Sequence, residues 1–85
     1  MKESNDEIKS QINMAAYFLA QENHSYDKLC WFYAKNQLRA QKDARYNDEV
    51  VIGAKAAIIY FESPPYDILC WLIAELDILI KLGVI

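Results

Sequence analysis

The segment Tyr26-Asp27-Lys28-Leu29-Cys30-Trp31 returns forty residues later as Tyr66-Asp67-Ile68-Leu69-Cys70-Trp71. Both cysteines and both tryptophans of the 85-residue chain lie at this repeated position. Residues 12–38 align without a gap on residues 52–78, and the identical pairs are Ile12/Ile52, Ala16/Ala56, Glu22/Glu62, Tyr26/Tyr66, Asp27/Asp67, Leu29/Leu69, Cys30/Cys70, Trp31/Trp71 and Ala34/Ala74. A fixed period of this length is typical of a supersecondary unit that occurs twice.

Helical periodicity and capping residues predict four helices. Ser4-Asn5-Asp6-Glu7 has the pattern of a capping box before the first helix. The second helix is expected to run from near Asn23 to about Asp43. The third is expected to begin after Asn47, where acidic residues favour a helix N-terminus, and to end near Glu62.

The fourth helix has the clearest predicted start. Ser63 is a good N-cap. Pro64 suits the first helical position, because the backbone N–H that proline lacks would have no hydrogen-bond partner within the helix at that position. The repeat places Asn23 opposite Ser63, which predicts a capping residue at the same point of both units. Gly83 predicts the C-cap of the last helix.

These elements predict an all-α fold. Two duplicated helical hairpins are expected to form a four-helix bundle-like domain over residues 1–85, with internal repeats at about 8–43 and 48–82. The residues predicted to anchor the core are Tyr26, Leu29, Trp31, Tyr66, Leu69 and Trp71.

Composition limits the class of protein. Hydrophobic residues make up 54% of the chain, the net charge is −3, and there are two glycines and two prolines. A small chain this apolar often completes its core by oligomerising, and its acidic balance argues against a nucleic-acid-binding domain. The polar N-terminus predicts no secretory signal, and charges within residues 68–85 predict no membrane span. We therefore expect a cytoplasmic protein with reduced cysteines.

The last helix has a second apolar face that the second helix lacks. This predicted interface is formed by Ile68, Leu72, Leu79 and Leu82. A helix that is apolar on two sides needs a second covering surface, so the pattern predicts a two-fold homodimer that Leu79→Lys should split. The alternative is that the tail Leu82–Ile85 folds back over this face.

The second helix carries a basic stripe, which we predict to be the partner-binding surface. It consists of Lys28, Phe32, Lys35, Arg39 and Lys42. These side chains could contact an acidic protein partner, or phosphates with one aromatic ring available for stacking. The third alternative is a solvated charged surface without a ligand.

Residues for catalysis or cofactor binding are not found in a recognisable pattern. His24 is the single histidine, and Gly-rich phosphate-binding loops are absent from the sequence. We therefore predict no enzyme activity, no metal and no cofactor. Cys30 and Cys70, each beside a tryptophan, are expected to be buried thiols, with a functional disulfide as the alternative.

Ala16-Tyr17 and the pattern Trp31-x-x-Ala34-x-x-x-Leu38 resemble a small bacterial helix-turn-helix-like family of unknown function. That family ends its unit with Trp-x-x-Ala-Glu, which the second copy keeps as Trp71-Leu72-Ile73-Ala74-Glu75, whereas the first copy has Lys35 in place of the acid. Each match covers about 25 residues. The resemblance implies a small, non-secreted bacterial or phage domain and supplies no catalytic residues.

Together these patterns predict a non-enzymatic protein that acts by protein–protein interaction, as an adaptor, regulator or inhibitor. A nucleic-acid-associated regulator that uses the basic stripe is the alternative.

Overall fold

The computed structural model describes residues 5–85, and side chains from Asp6 onward. The four α-helices are α1 (Asn5–Gln21), α2 (Tyr26–Ala40), α3 (Glu49–Glu62) and α4 (Tyr66–Lys81), and a short 3-10 helix covers Ala44–Asn47. The predicted all-α class is confirmed. Ser4 of the predicted capping box lies outside the described residues.

The helices pack in an order that differs from their order along the chain. α1 packs on α4, α4 packs on α2, and α2 packs on α3. Within residues 5–85 the two helices of one repeat do not pack on each other, so each repeat is an open helix–turn–helix unit. The first helix of each repeat instead packs on the second helix of the other repeat.

Two equivalent hydrogen bonds join the turns of the two units. The Tyr26 hydroxyl donates to the Pro64 carbonyl oxygen at 2.5 Å, and the Tyr66 hydroxyl donates to the His24 carbonyl oxygen at 2.6 Å. Since 26 and 66, and likewise 24 and 64, are repeat-equivalent positions, the two bonds are related by a pseudo-two-fold axis. They hold the N-terminal ends of α2 and α4 together.

The predicted helix starts at Asn23 and Ser63 are wrong. Both residues have left-handed backbone conformations, with φ of 55° and 54°, and Ser63 is the C-cap of α3. The N-caps are the next repeat-equivalent pair, Ser25 and Pro65. Pro64 cannot begin α4 because a residue that precedes a proline is driven out of the helical region.

Helix ends elsewhere follow ordinary capping rules. α2 ends at Ala40, before the predicted Asp43, because Lys42 adopts a φ of 57° and the Asp43 N–H bonds to the Leu38 carbonyl. This is the long hydrogen bond of a Schellman motif. The same bond joins Val84 to Leu79 around Gly83, whose φ is 71°. The predicted helix end near Gly83 is thus confirmed, and the C-cap residue is Leu82.

The centre of the core is built from repeat-equivalent pairs. The buried pairs are Ile12/Ile52, Leu29/Leu69, Cys30/Cys70 and Ala34/Ala74. Leu29 and Leu69 are fully buried as predicted, whereas Tyr26, Trp31 and Trp71 are half-buried at the edge of the core and Tyr66 is 36% exposed. The leucines therefore anchor the core, and the larger rings close its margins.

Candidate functional site

The outward side of α3 is the most exposed apolar surface among the described residues. Val50, Ile58 and Phe61 are 81%, 61% and 84% exposed, and Ala54 and Ala57 are also exposed. We call these five residues the α3 face. Three turns of helix thus present aliphatic and aromatic side chains to solvent without a charge among them, and contiguous surfaces of this kind mark interaction sites.

Helical spacing explains how the chain forms this surface. Val50, Ala54, Ala57 and Phe61 are separated by four, three and four residues, the spacing of one stripe along a helix. Ile52 and Ile59 point the other way and are buried against α2. α3 is therefore apolar on two opposite sides, and only one of them is used inside the bundle.

Sequence reasoning missed the α3 face. The segment 50–61 contains one charged residue, Lys55, and this scarcity of charge was the available signal. The repeat-equivalent side of α1 is also apolar but less uniform. Met14, Tyr17 and Phe18 are 60%, 61% and 59% exposed there.

A groove of about 440 Å³ runs between α2 and α3, beside the α3 face. Its lining residues are Asp27, Cys30, Trp31, Gly53, Ala56, Ala57, Tyr60 and Phe61. A second groove of about 330 Å³ occupies the equivalent place between α1 and α4, lined by Asn13, Ala16, Tyr17, Ala20, Asp67, Ile68, Cys70 and Trp71. Nearly every position of one groove corresponds to a position of the other.

The two grooves differ at the residue that faces the tryptophan. In the α1–α4 groove, the Trp71 indole N–H donates to Asn13 Oδ1 at 2.9 Å. In the α2–α3 groove the equivalent residue is Gly53, which has no side chain to place against Trp31. The α2–α3 groove therefore lacks the side chain and the hydrogen bond that face the tryptophan in the α1–α4 groove, and it has Ala57 at the position of Tyr17.

The predicted interface on α4 is partly accessible. Ile68 and Leu82 are 48% and 38% exposed, and Leu72 and Leu79 are half-buried. The tail residues Val84 and Ile85 are themselves exposed. The tail therefore leaves much of this face open, but it offers less apolar surface than the α3 face.

Of the predicted basic stripe, Lys28, Phe32, Lys35 and Arg39 lie on α2, whereas Lys42 follows the end of that helix in a left-handed conformation. Lys28, Arg39 and Lys42 are exposed, and Lys35 is half-buried. The guanidinium of Arg39 donates to Oδ1 of buried Asn36 at 3.2 Å and lies 3.9 Å from the Asp77 carboxylate. Asn36 in turn donates to the Ile73 carbonyl, so Arg39 belongs to a network that joins α2 to α4.

Phe32, the aromatic member of the stripe, is half-buried and stands edge-on to the His24 ring, with 5.1 Å between centroids. His24 also contacts the Glu22 carboxylate at 2.7 Å. Phe32 is therefore only partly accessible beside the cations of the stripe.

The two thiols are buried as expected, each 1% exposed. Burial raises the pKa of the Cys30 thiol, and the charge of nearby Asp27 raises it further. Burial and Asp67 raise the pKa of Cys70 in the same way. Both thiols are therefore protonated at neutral pH, which suits packing and opposes nucleophilic or metal-binding roles.

Side chains that could form a metal site are not grouped in the described part of the chain, where no cluster of three or more His, Cys, Asp or Glu residues occurs. Between residues 5 and 85, no helix has the length and apolar character needed to cross a membrane. Comparison of the chain with protein-family models, curated proteins and solved structures found no match.

Proposed function

We propose that this chain is a non-enzymatic protein-interaction module, built from a duplicated helix–turn–helix unit, that binds another protein chain through the α3 face. The observation that supports the proposal is the exposure of Val50 and Phe61, above 80% in each case, on an uncharged helix side. Water-exposed apolar area of this kind contributes favourable free energy when a partner covers it.

The arrangement around the α3 face suits docking of a helix or an extended segment. Phe61 stands at the rim of the α2–α3 groove, so a partner that covers Phe61 also reaches Ala57 and Tyr60. Aromatic residues are enriched at protein interfaces, where they often act as anchors. The α4 face, with Ile68 and Leu82 exposed, is a second and smaller surface for the same kind of contact.

The test is an affinity comparison between surface variants. Wild-type protein, Phe61→Lys and Lys35→Glu serve as baits in lysate of the source cell, and each captured protein is then purified and titrated by calorimetry. A true partner should bind Phe61→Lys at least about tenfold more weakly, as expected for loss of an aromatic anchor, and should bind Lys35→Glu with nearly unchanged affinity. Failure to reconstitute any complex from purified components, including a complex of two copies of this chain, would refute the proposal.

The alternative is a nucleic-acid-associated regulator that uses Lys28, Lys35, Arg39 and Lys42. Lys28 and Arg39 are exposed on α2, and Lys42 is exposed just beyond its end. Binding of this kind weakens steeply as salt rises. Fluorescence anisotropy with labelled duplex DNA and RNA measures it directly. A salt-dependent signal that is lost in Lys35→Glu and retained in Phe61→Lys would favour the alternative.

A further inference from the structure

The α3 face is self-complementary in the sizes of its side chains. Its large residues, Val50 and Phe61, stand at the two ends of the stripe, and Ala54 and Ala57 occupy the middle. If a second α3 lies antiparallel across the first, Val50 meets Phe61 of the second copy and Ala54 meets Ala57 of the second copy. The central alanines then allow the helix axes to approach to about 8 Å, at the close end of the range for helix packing.

The repeat-equivalent side of α1 does not have this arrangement. Its corresponding residues are Ser10, Met14, Tyr17 and Gln21, so the ends are polar and the middle is bulky. Two α1 helices paired in the same way would be held apart by Met14 and Tyr17. Self-complementarity is thus a property of α3 and not of the shared unit.

The area is sufficient for a modest dimer. From the exposed fractions of Val50, Ile58 and Phe61 and of the two alanines, each copy contributes on the order of 500 Å² of apolar surface. With Tyr60, which is 49% exposed beside the face, complete burial of these side chains on both copies would remove roughly 1,200 Å² from water, the lower end of the range for specific interfaces. The α4 face offers two exposed residues and falls below this range.

We propose that the chain forms a two-fold homodimer through antiparallel pairing of α3 with α3 of a second copy. This inference rests on the proposed function and names the partner chain. A two-fold arrangement uses the same patch on both copies and closes on itself. The antiparallel direction also sets the helix dipoles in opposition, which is the favourable orientation for neighbouring helices.

Light scattering after size-exclusion chromatography, over micromolar to millimolar loading, tests the dimer. Wild-type protein should shift with concentration from 9.9 kDa to twice that mass. Ala54→Lys places a charge at the centre of the pairing, on an exposed position where lysine is a good helix former, and should raise the dissociation constant of the dimer at least about tenfold. The matched control is Met14→Lys at the repeat-equivalent position of α1, which should leave the dimer unchanged.

Engineered cysteines test the direction of pairing. In the antiparallel arrangement, position 50 lies about 16 Å along the axis from position 50 of the second copy, beyond disulfide reach, but directly opposite position 61. Val50→Cys and Phe61→Cys should therefore form a cross-linked dimer when mixed, and neither should cross-link alone. Cys30 and Cys70 are buried and contribute little background.

Other results would overturn the inference. A monomeric mass at all concentrations would exclude the dimer. The proposed function would still stand if a different protein binds the wild type and no longer binds Phe61→Lys. A dimer that Leu79→Lys splits and Ala54→Lys does not would place the interface on α4. Masses beyond the dimer that Met14→Lys abolishes would indicate open-ended pairing of α1 with α3. Cross-linking of Val50→Cys alone would indicate parallel helices.

Discussion

The indole N–H of Trp71 on α4 donates a 2.9 Å hydrogen bond to the side-chain oxygen of Asn13 on α1. The bond joins the two sides of the α1–α4 groove at the position that Gly53 occupies in the α2–α3 groove. It lies at a partly exposed site, where water can replace a lost partner, so its net contribution falls at the low end of the range for protein hydrogen bonds.

Asn13→Ala should lower the free energy of unfolding by about 0.5–1 kcal/mol, because Trp71 loses its acceptor. Urea denaturation measures the change. The control is a double-mutant cycle with Trp71→Phe, in which the coupling energy isolates the hydrogen bond from ring packing. A coupling energy indistinguishable from zero would show that the contact contributes nothing to stability.

Gly53→Ala should have the opposite effect on the free energy of unfolding. Gly53 lies inside α3, and a Cβ built on it meets Trp31 Cζ3 at 3.6 Å, an ordinary contact distance. Replacing a helix-interior glycine by alanine without a clash should therefore raise the free energy of unfolding by about 0.5–1 kcal/mol.

Gly83→Ala is the matched control for this substitution. Gly83 has open space around it but a φ of 71°, so alanine there costs about 1–2 kcal/mol of backbone strain. Thermal or urea denaturation of both variants should thus give shifts of opposite sign. Destabilisation by Gly53→Ala would mean that the contact with Trp31 is tighter than the structure indicates.

The two central leucines of the core could be predicted from the sequence, whereas the pairing of helices could not. Leu29 and Leu69 recur at the same point of a helical pattern, and burial follows from that pattern whichever helix covers them. The choice of covering helix depends on the turns. Asn23 and Ser63 adopt left-handed conformations that helical periodicity does not encode, and the bonds from Tyr26 and Tyr66 cross between the repeats.

The α3 face was not predicted from the sequence, and the interface predicted on α4 stays a prediction. The sequence indicated an unused apolar face on α4, because basic positions of α2 had become aliphatic there. α3 was assigned only its inward residues, since Ile52 and Ile59 already accounted for a core-facing side. Which apolar side is left uncovered is decided by the packing order, and that order places Phe61 at the outside of the bundle.

Leu29→Ala and Leu69→Ala should each lower the free energy of unfolding by about 2–5 kcal/mol, because both side chains are fully buried and truncation leaves a cavity. Their near-equivalent surroundings predict effects within roughly 1 kcal/mol of each other. The control is Ile68→Ala, beside Leu69 but 48% exposed, which should cost less than about 1 kcal/mol. Unequal losses at the two leucines would show that the two halves of the core are not energetically equivalent.

Stability should decline in alkaline solution because of the buried thiols. Burial, with a smaller effect of Asp27 and Asp67, raises the pKa of Cys30 and Cys70 above the ordinary value of a thiol. A group whose pKa is raised by folding stabilises the folded state fully below its unfolded pKa, roughly 8.5 for a thiol. That contribution is lost as the pH rises through the folded pKa, since the unfolded chain releases the proton more readily.

Urea denaturation from neutral to alkaline pH, with reductant present, should show the free energy of unfolding level near pH 7 and falling above roughly pH 8.5. The double variant Cys30→Ala with Cys70→Ala should be less stable at pH 7, but its free energy of unfolding should change less as the pH rises further. Tyr26→Phe is the control, because burial also raises the pKa of Tyr26 above 10.0. Removal of the Tyr26 hydroxyl should therefore weaken the pH dependence of stability only at the highest pH. Parallel profiles for wild type and the cysteine variant would mean that the thiols do not couple folding to pH.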